Sequence, residues 1–115
     1  MPVYKYRDMQ SVEVKMDGVK SASKAVVIGK REGWADYVLR VFRLEPGGYT
    51  PRHRHAWEHI NHVIRGRGKL RLGDQIFELG EKDFALVPAN TEHQFENPFD
   101  TPFEFICIVP EKGEY

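Results

Sequence analysis

The stretch Pro51-Arg-His53-Arg-His55-Ala-Trp57-Glu58-His59-Ile60-Asn61-His62-Val63-Ile64 carries four of the chain's five histidines within ten residues. An even spread over 115 residues would put fewer than one there, so the cluster asks for a cause. In extended backbone successive side chains alternate faces, which points His53 and His55 one way and Arg52 and Arg54 the other. A strand beginning near His59 then puts His59, Asn61 and Val63 on one face and Ile60, His62 and Ile64 on the opposite one. His93 opens a later strand after the turn Pro88-Ala-Asn-Thr91, and closure of a barrel would set it opposite the cluster. His53, His55, His59 and His93 are therefore the candidate metal ligands, because neutral imidazole is the commonest ligand for transition metals. His62 is expected behind the sheet, packed or interfacial. The competing reading is a solvated or core-packed group of histidines that holds no ion.

Outward from this stretch the pattern is one of short strands. They are expected at Val12–Met16, Ala25–Ile28, Tyr37–Leu44, His59–Ile64, Lys69–Leu72, Gln75–Leu79, Phe84–Val87, His93–Glu96 and Phe103–Val109. Turn residues part them about every ten positions, the spacing of a sandwich or barrel. Val and Ile outnumber Ala and Leu by 17 to 12, and Gly plus Pro reach 17, which favours stiff strands and frequent turns over helices. Gly73-Asp74 links two of these strands as a two-residue hairpin, its glycine tolerating the positive φ of a type II′ turn. No apolar 3.6-residue period lasts three turns, and six prolines from Pro46 to Pro110 would interrupt any long helix. The fold class is all-β.

The length suits one domain, residues 1–115. Lys and Arg balance Asp and Glu at 17 each, with a pI near 7.0 and no basic run, which argues against nucleic acid and anionic membrane as partners. Nowhere do about 18 apolar residues run together, and the start lacks the apolar core of a signal peptide, so a cytoplasmic location is expected. The one cysteine, Cys107, has no intrachain disulfide partner.

Two motifs carry a family resemblance. Gly47-x5-His53-x-His55-x3-His59-x6-Gly66 resembles the first cupin motif, and Pro88-x-Asn90-x2-His93-x3-Asn97 resembles the second. The resemblance implies a single-domain cupin, a double-stranded β-helix or jelly-roll barrel, with an N-terminal arm at about 1–11 and a metal-binding core at about 37–110. The first motif usually has glutamate where this chain has His59, which makes the implied metal set four histidines. Asn90 and Lys82 stand where the family usually has glycine; Asn tolerates left-handed backbone, and Lys82 lies in a turn beside Gly80. The segment His53–His59 is most similar to small four-histidine cupins of thermophilic bacteria, which implies a homodimer and manganese or another divalent metal. Coordination chemistry alone would equally suit iron, copper, nickel or zinc. No organic cofactor is expected.

Four neutral imidazoles leave the ion's +2 charge uncompensated, so the site should favour anionic or enolisable oxygen ligands. An octahedral ion would keep two positions open. The absence of a ligand carboxylate also disfavours a higher oxidation state. In the last strand Phe103, Phe105, Cys107 and Val109 are expected to face the lumen with Glu104 outward, core and substrate contact being open alternatives for the aromatics. The resemblance places Arg40 and Phe42 inward, with Arg40 a candidate anion clamp; the alternation alone leaves a surface Arg open. Trp57 is a candidate to close over the pocket and Glu58 to fix a histidine through its second nitrogen, against a packed Trp and a solvated Glu. Catalytic residues stay unassigned within this pocket set of Arg40, Phe42, Trp57, Phe105 and Cys107. The expected function is a metal-dependent enzyme of dioxygenase or oxidoreductase type acting on a small molecule. The alternatives are a non-catalytic binding or sensing barrel, a metal-dependent isomerase, and a barrel in which zinc is only a structural staple. Val3–Tyr6 and the face of Ile60, His62 and Ile64 are expected to form a homodimer contact.

Overall fold

The β-branched runs pair into nine strands, all antiparallel where they meet, in a computed structural model that describes residues 3–114. They are β1 (Val12–Glu13), β2 (Lys20–Ile28), β3 (Tyr37–Tyr49), β4 (His59–Arg65), β5 (Gly68–Leu72), β6 (Gln75–Leu79), β7 (Phe84–Val87), β8 (His93–Glu96) and β9 (Phe103–Pro110). The sheet runs β6-β5-β8-β3-β9-β4-β7, with β2 on β3 and β1 on β2. It nearly closes into a barrel, so the fold is the all-β jelly roll that the turn spacing indicates. Among the described residues the helical segments are short 3-10 turns, at Tyr6–Asp8, Lys30–Glu32 and Glu111–Gly113. Among the described residues no helix is long and apolar enough to cross a membrane.

Strand alternation fills the lumen. Along β4 His59, Asn61 and Val63 are buried while Ile60 is exposed, and along β9 Phe103, Phe105, Cys107 and Val109 are buried. Phe105 stacks on Phe95 at 4.2 Å between centroids and packs on Phe103 at 5.0 Å. Fully burying a phenylalanine is worth about 2–3 kcal/mol, so this aromatic column is a large share of what holds the barrel shut.

Turn chemistry fixes the register. Gly73 has φ +60° and Leu72 pairs with Gln75, while Asp74 stays out of the positive-φ region, as a type II′ hairpin requires. Asn90 and Lys82, where the family's glycines would stand, are both left-handed, at φ 61° and 73°. Asn90 N–H donates to the His55 carbonyl (2.7 Å) and Lys82 N–H to the Val63 carbonyl (2.9 Å), so each strained residue anchors a neighbouring strand or loop.

The structure corrects three strand limits. β1 stops at Glu13, β2 begins at Lys20, and β3 continues through Glu45-Pro-Gly-Gly-Tyr49, where the turn residues indicated a stop at Leu44. Cross-strand pairing overrides those turn residues: Gly47 N–H donates to the Asn97 carbonyl, and Asn97 N–H to the Gly48 carbonyl. A Cβ at Gly48 would lie 2.8–2.9 Å from the carbonyl oxygens of Ser21, Glu45 and Lys20, so glycine is needed there for close strand approach. A fourth correction concerns Glu104. It does lie on the face away from the lumen, yet it is buried, because Tyr6 donates to its carboxylate and Arg43 Nη1 lies 3.2 Å from it. The arm thus docks by Tyr6 on the outer sheet of its own barrel.

Candidate metal centre

Three separate pieces of backbone carry the histidines to one end of the lumen. Residues 51–58 are not a regular strand, but their burial alternates, with His53 and His55 turned in and Arg52, Arg54, Ala56 and Glu58 exposed. His53 and His93 exchange backbone hydrogen bonds (3.1 and 2.9 Å), which brings the two motifs into register. One ring nitrogen each of His53, His55 and His93 lies within 4.8 Å of the other two. His59 stands outside that tight trio but joins it through His93, Nε2 to Nε2 at 3.2 Å. Ring centroids of His55 and His93 lie 4.9–5.4 Å from each other and from both His53 and His59. His62 lies on the other face of the sheet, stacked on Phe84.

Hydrogen bonds on the far side of each ring set the tautomers. The Nδ1 atoms of His55 and His93 face the carbonyls of Trp57 (3.0 Å) and Thr91 (2.9 Å). A carbonyl only accepts, so each Nδ1 carries its proton and each Nε2 presents a bare lone pair. His59 Nδ1 donates to Asn61 Oδ1 at 2.8 Å, and the Asn61 amide is oriented by Nδ2 donating to the Ile106 carbonyl at 3.3 Å. The 3.2 Å contact between His59 and His93 therefore joins two lone pairs with no proton between them. Protonating a ring is resisted: burial, then repulsion from neighbouring histidines and Arg40, pulls His53 down to about 4. In His59 burial, aided by repulsion from His93, His55 and Arg40, outweighs the Asn61 hydrogen bond and pulls the ring down to about 3. Burial lowers His93 too. Neutral, converging Nε2 donors suit a divalent transition metal, so the residues present fit such an ion.

Beside the histidines is a cavity of about 30 Å³, room for about one ion or water. It is lined by Phe42, Phe95, Phe105, Thr50, Arg40 and Cys107 as well as the rings. Arg40 and Phe42 do face inward and are buried. Arg40 Nη2 donates to Cys107 Sγ (2.9 Å), and Sγ lies 3.6 Å from His59 Nδ1, on the side of that ring away from His93. Burial, the largest influence, raises the Cys107 thiol above its usual range despite Arg40. Trp57 stacks flat on His55, centroids 4.6 Å apart. Glu58 is exposed, the solvated alternative, and the second nitrogen of His55 is held by the Trp57 carbonyl.

Sequence reasoning missed Asn61 as the partner of His59, although its place two residues on, on the same buried face, was the available signal. It also missed the pairing of Glu114 with Arg40, which lines the cavity, because 74 residues separate the two.

Residues 40–109 match the Cupin_2 family, a cupin domain. The chain belongs to the cupin family. This cupin is 32% identical over 71 residues to the 1-methylthio-D-xylulose 5-phosphate methylsulfurylase of Rhodospirillum rubrum, a match that covers 62% of this chain and 46% of that protein. It is 32% identical over 82 residues to a mannose-1-phosphate guanylyltransferase of Salmonella muenchen, covering 70% of this chain but 17% of the relative. The cupin thus spans less than half of either curated relative. Among solved structures it superposes on a polyketide cyclase from Streptomyces resistomycificus with a TM-score of 0.88 and 28% identity, covering 96% of this chain and 79% of that one. Relatives so varied share a barrel rather than a reaction.

Proposed function

We propose that this cupin binds one divalent transition metal through His53, His55, His59 and His93. We further propose that it is a metal-dependent enzyme of dioxygenase or oxidoreductase type acting on a small, oxygen-bearing molecule. The observation that carries the reading is the pair of bare Nε2 lone pairs of His59 and His93 at 3.2 Å, in a place too buried to protonate them. Manganese is the metal to test first, with iron, copper, nickel and zinc as competitors. Such an ion, when bound, supplies Lewis-acid polarisation of an oxygen ligand and, if redox-active, a route for electrons. The chain's part is to present the imidazoles in one tautomer through Asn61, Trp57 and Thr91, and to keep the pocket dry with Phe42, Phe95 and Phe105. Isomerisation or cyclisation by proton transfer would need a base. Among the described residues lining the cavity none is acidic, and Glu114, which contacts Arg40, is itself paired with Arg40 and Lys24, which supports the oxidative reading.

Elemental analysis of untagged protein tests the ligand set: about one manganese, iron or copper per chain is expected, lost in His93→Ala. Stoichiometric zinc would favour a structural or hydrolytic centre. Oxygen uptake with small enolisable and aromatic substrates tests the reaction class; no uptake with any loaded redox metal would leave a binding or sensing barrel. We also propose a homodimer through the outer face of β4 and β7, where Ile60, Phe84 and Leu86 are 52%, 75% and 56% exposed. A monomer in light scattering at micromolar concentration would refute it.

A further inference from the structure

The four rings of the metal centre are not equally covered. His59 and His93 are buried, whereas His53 and His55 are only half-buried, so the cluster is open on the side of His53 and His55. The cavity of about 30 Å³ that all four rings line has room for an ion or a water. A second pocket, of about 230 Å³, is lined by Met16, His53, Arg54, His55 and Trp57. The two voids have His53 and His55 in common, so a molecule larger than water can lie against the same rings that hold the ion position.

The groups around this outer pocket favour one kind of ligand. Trp57 lies flat on His55, with 6° between the ring planes, which makes the two rings one broad aromatic surface. Met16 is 44% exposed although the chain on either side of it is anchored. Val14 and Val19 pack on the core, and Val19 N–H donates to the Met16 carbonyl at 3.3 Å. The turn so formed rests on the histidine segment, where a Cβ at Gly18 would meet Pro51 Cα at 3.9 Å. The Met16 thioether is thus held beside the rings instead of in the core, and sulfur packs favourably on an aromatic ring. Arg52 Nε lies 2.9 Å from Glu92, whereas the exposed Arg54 forms no ion pair among the described residues. A guanidinium placed in this way can lie over the face of a ring. Aromatic, thioether and guanidinium groups share a preferred partner, a flat π-system.

We propose that the pocket between Met16, Arg54 and Trp57 is the substrate's seat, and that it takes a small aromatic ring bearing a hydroxyl, whose oxygen points past His53 and His55 to the ion position. This assignment rests on the metal reading for the chemistry of that oxygen, and adds to it the side of approach and the class of substrate.

The test uses the full chain, metal-stripped and zinc-loaded, in a Trp34→Phe background, so that Trp57 supplies the one tryptophan indole N–H signal in a nitrogen-15 correlation spectrum. Phenol is titrated against cyclohexanol, which carries the same hydroxyl on a puckered, saturated ring. Phenol should shift the Trp57 signal saturably at millimolar concentrations in both forms, and cyclohexanol should bind at least about threefold more weakly. Met16→Ala, a change at an exposed side chain, should weaken phenol binding by at least about threefold, and Arg54→Gln should weaken it in the same direction. Equal binding of phenol and cyclohexanol, wild-type affinity in either variant, or no saturable shift in the stripped form would each overturn the proposal. So would a larger loss in Phe42→Leu than in Met16→Ala, because the ligand would then lie in the inner cavity. Zinc should tighten phenol binding by taking its oxygen; equal affinity with and without zinc would refute the metal reading and leave the seat in place.

Discussion

Replacing Asn61 by Ala removes the group that orients His59 without touching any proposed ligand. Asn61 is 1% exposed, and its Oδ1 accepts the His59 Nδ1 proton at 2.8 Å. Its loss leaves the buried N–H with Cys107 Sγ at 3.6 Å, a weak acceptor that does not replace an amide oxygen. An unmet buried donor costs about 1–3 kcal/mol, which should appear as a lowered melting temperature of the metal-free protein. Freed of its partner, His59 can turn or change tautomer, and loss of such a partner typically weakens metal binding by about 10–100-fold. That corresponds to about 1.4–2.7 kcal/mol of binding free energy. Competition against a chelating dye, with manganese and with zinc, measures it. Asn61→Asp keeps an acceptor in place and should recover most of the affinity, which separates orientation from packing. A dissociation constant for Asn61→Ala within threefold of wild type would refute the claim that this hydrogen bond presents His59 Nε2 to an ion.

His62→Ala should leave metal content unchanged in elemental analysis, because His62 lies on the far face of β4 against Phe84; loss of metal would show that the ring is needed after all. The metal-free protein should lose stability as pH falls. His53 and His59 are held down to about 4 and about 3 against an ordinary 6.5, so below 6.5 the unfolded chain binds protons that the folded one does not. Stability present above pH 6.5 should then fall towards pH 4 by up to about 1.4 kcal/mol per pH unit for each histidine, and urea midpoints that do not change from pH 7 to 5 would contradict this. Gly68→Ala should destabilise by about 1–3 kcal/mol in urea titration, since the new Cβ would overlap the Phe103 ring; wild-type stability would mean that Phe103 has room to shift.

The residues explain why parts of this molecule were legible in advance. Alternation is a local rule, so the inward faces of β4 and β9, the back-facing His62 and the convergence of His53 with His55 follow from sequence order alone. Turn types are equally local, which is why Gly73, Asn90 and Lys82 adopt the backbone their positions demand. What stayed hidden depends on distant partners. Pro46-Gly-Gly48 looks like a strand end until Asn97 and β2 are placed beside it. Glu104 looks like a solvated outward charge until Tyr6, 98 residues away, lies over it. Lys24 and Glu114, 90 residues apart, meet only because the fold brings β2 beside the turn after β9.

The charge balance around the histidines constrains the chemistry more than the identity of the metal does. Burial lowers His53, His59 and His93 and raises the Cys107 thiol, so none of these would supply negative charge to a bound divalent ion. Arg40 lines the same cavity and is already paired with Glu114. An ion held by neutral rings in an aromatic-lined pocket would keep its own +2 charge, an unfavourable state without an anionic ligand. Neutral water would not lower that charge, whereas an ionised oxygen ligand on the ion would.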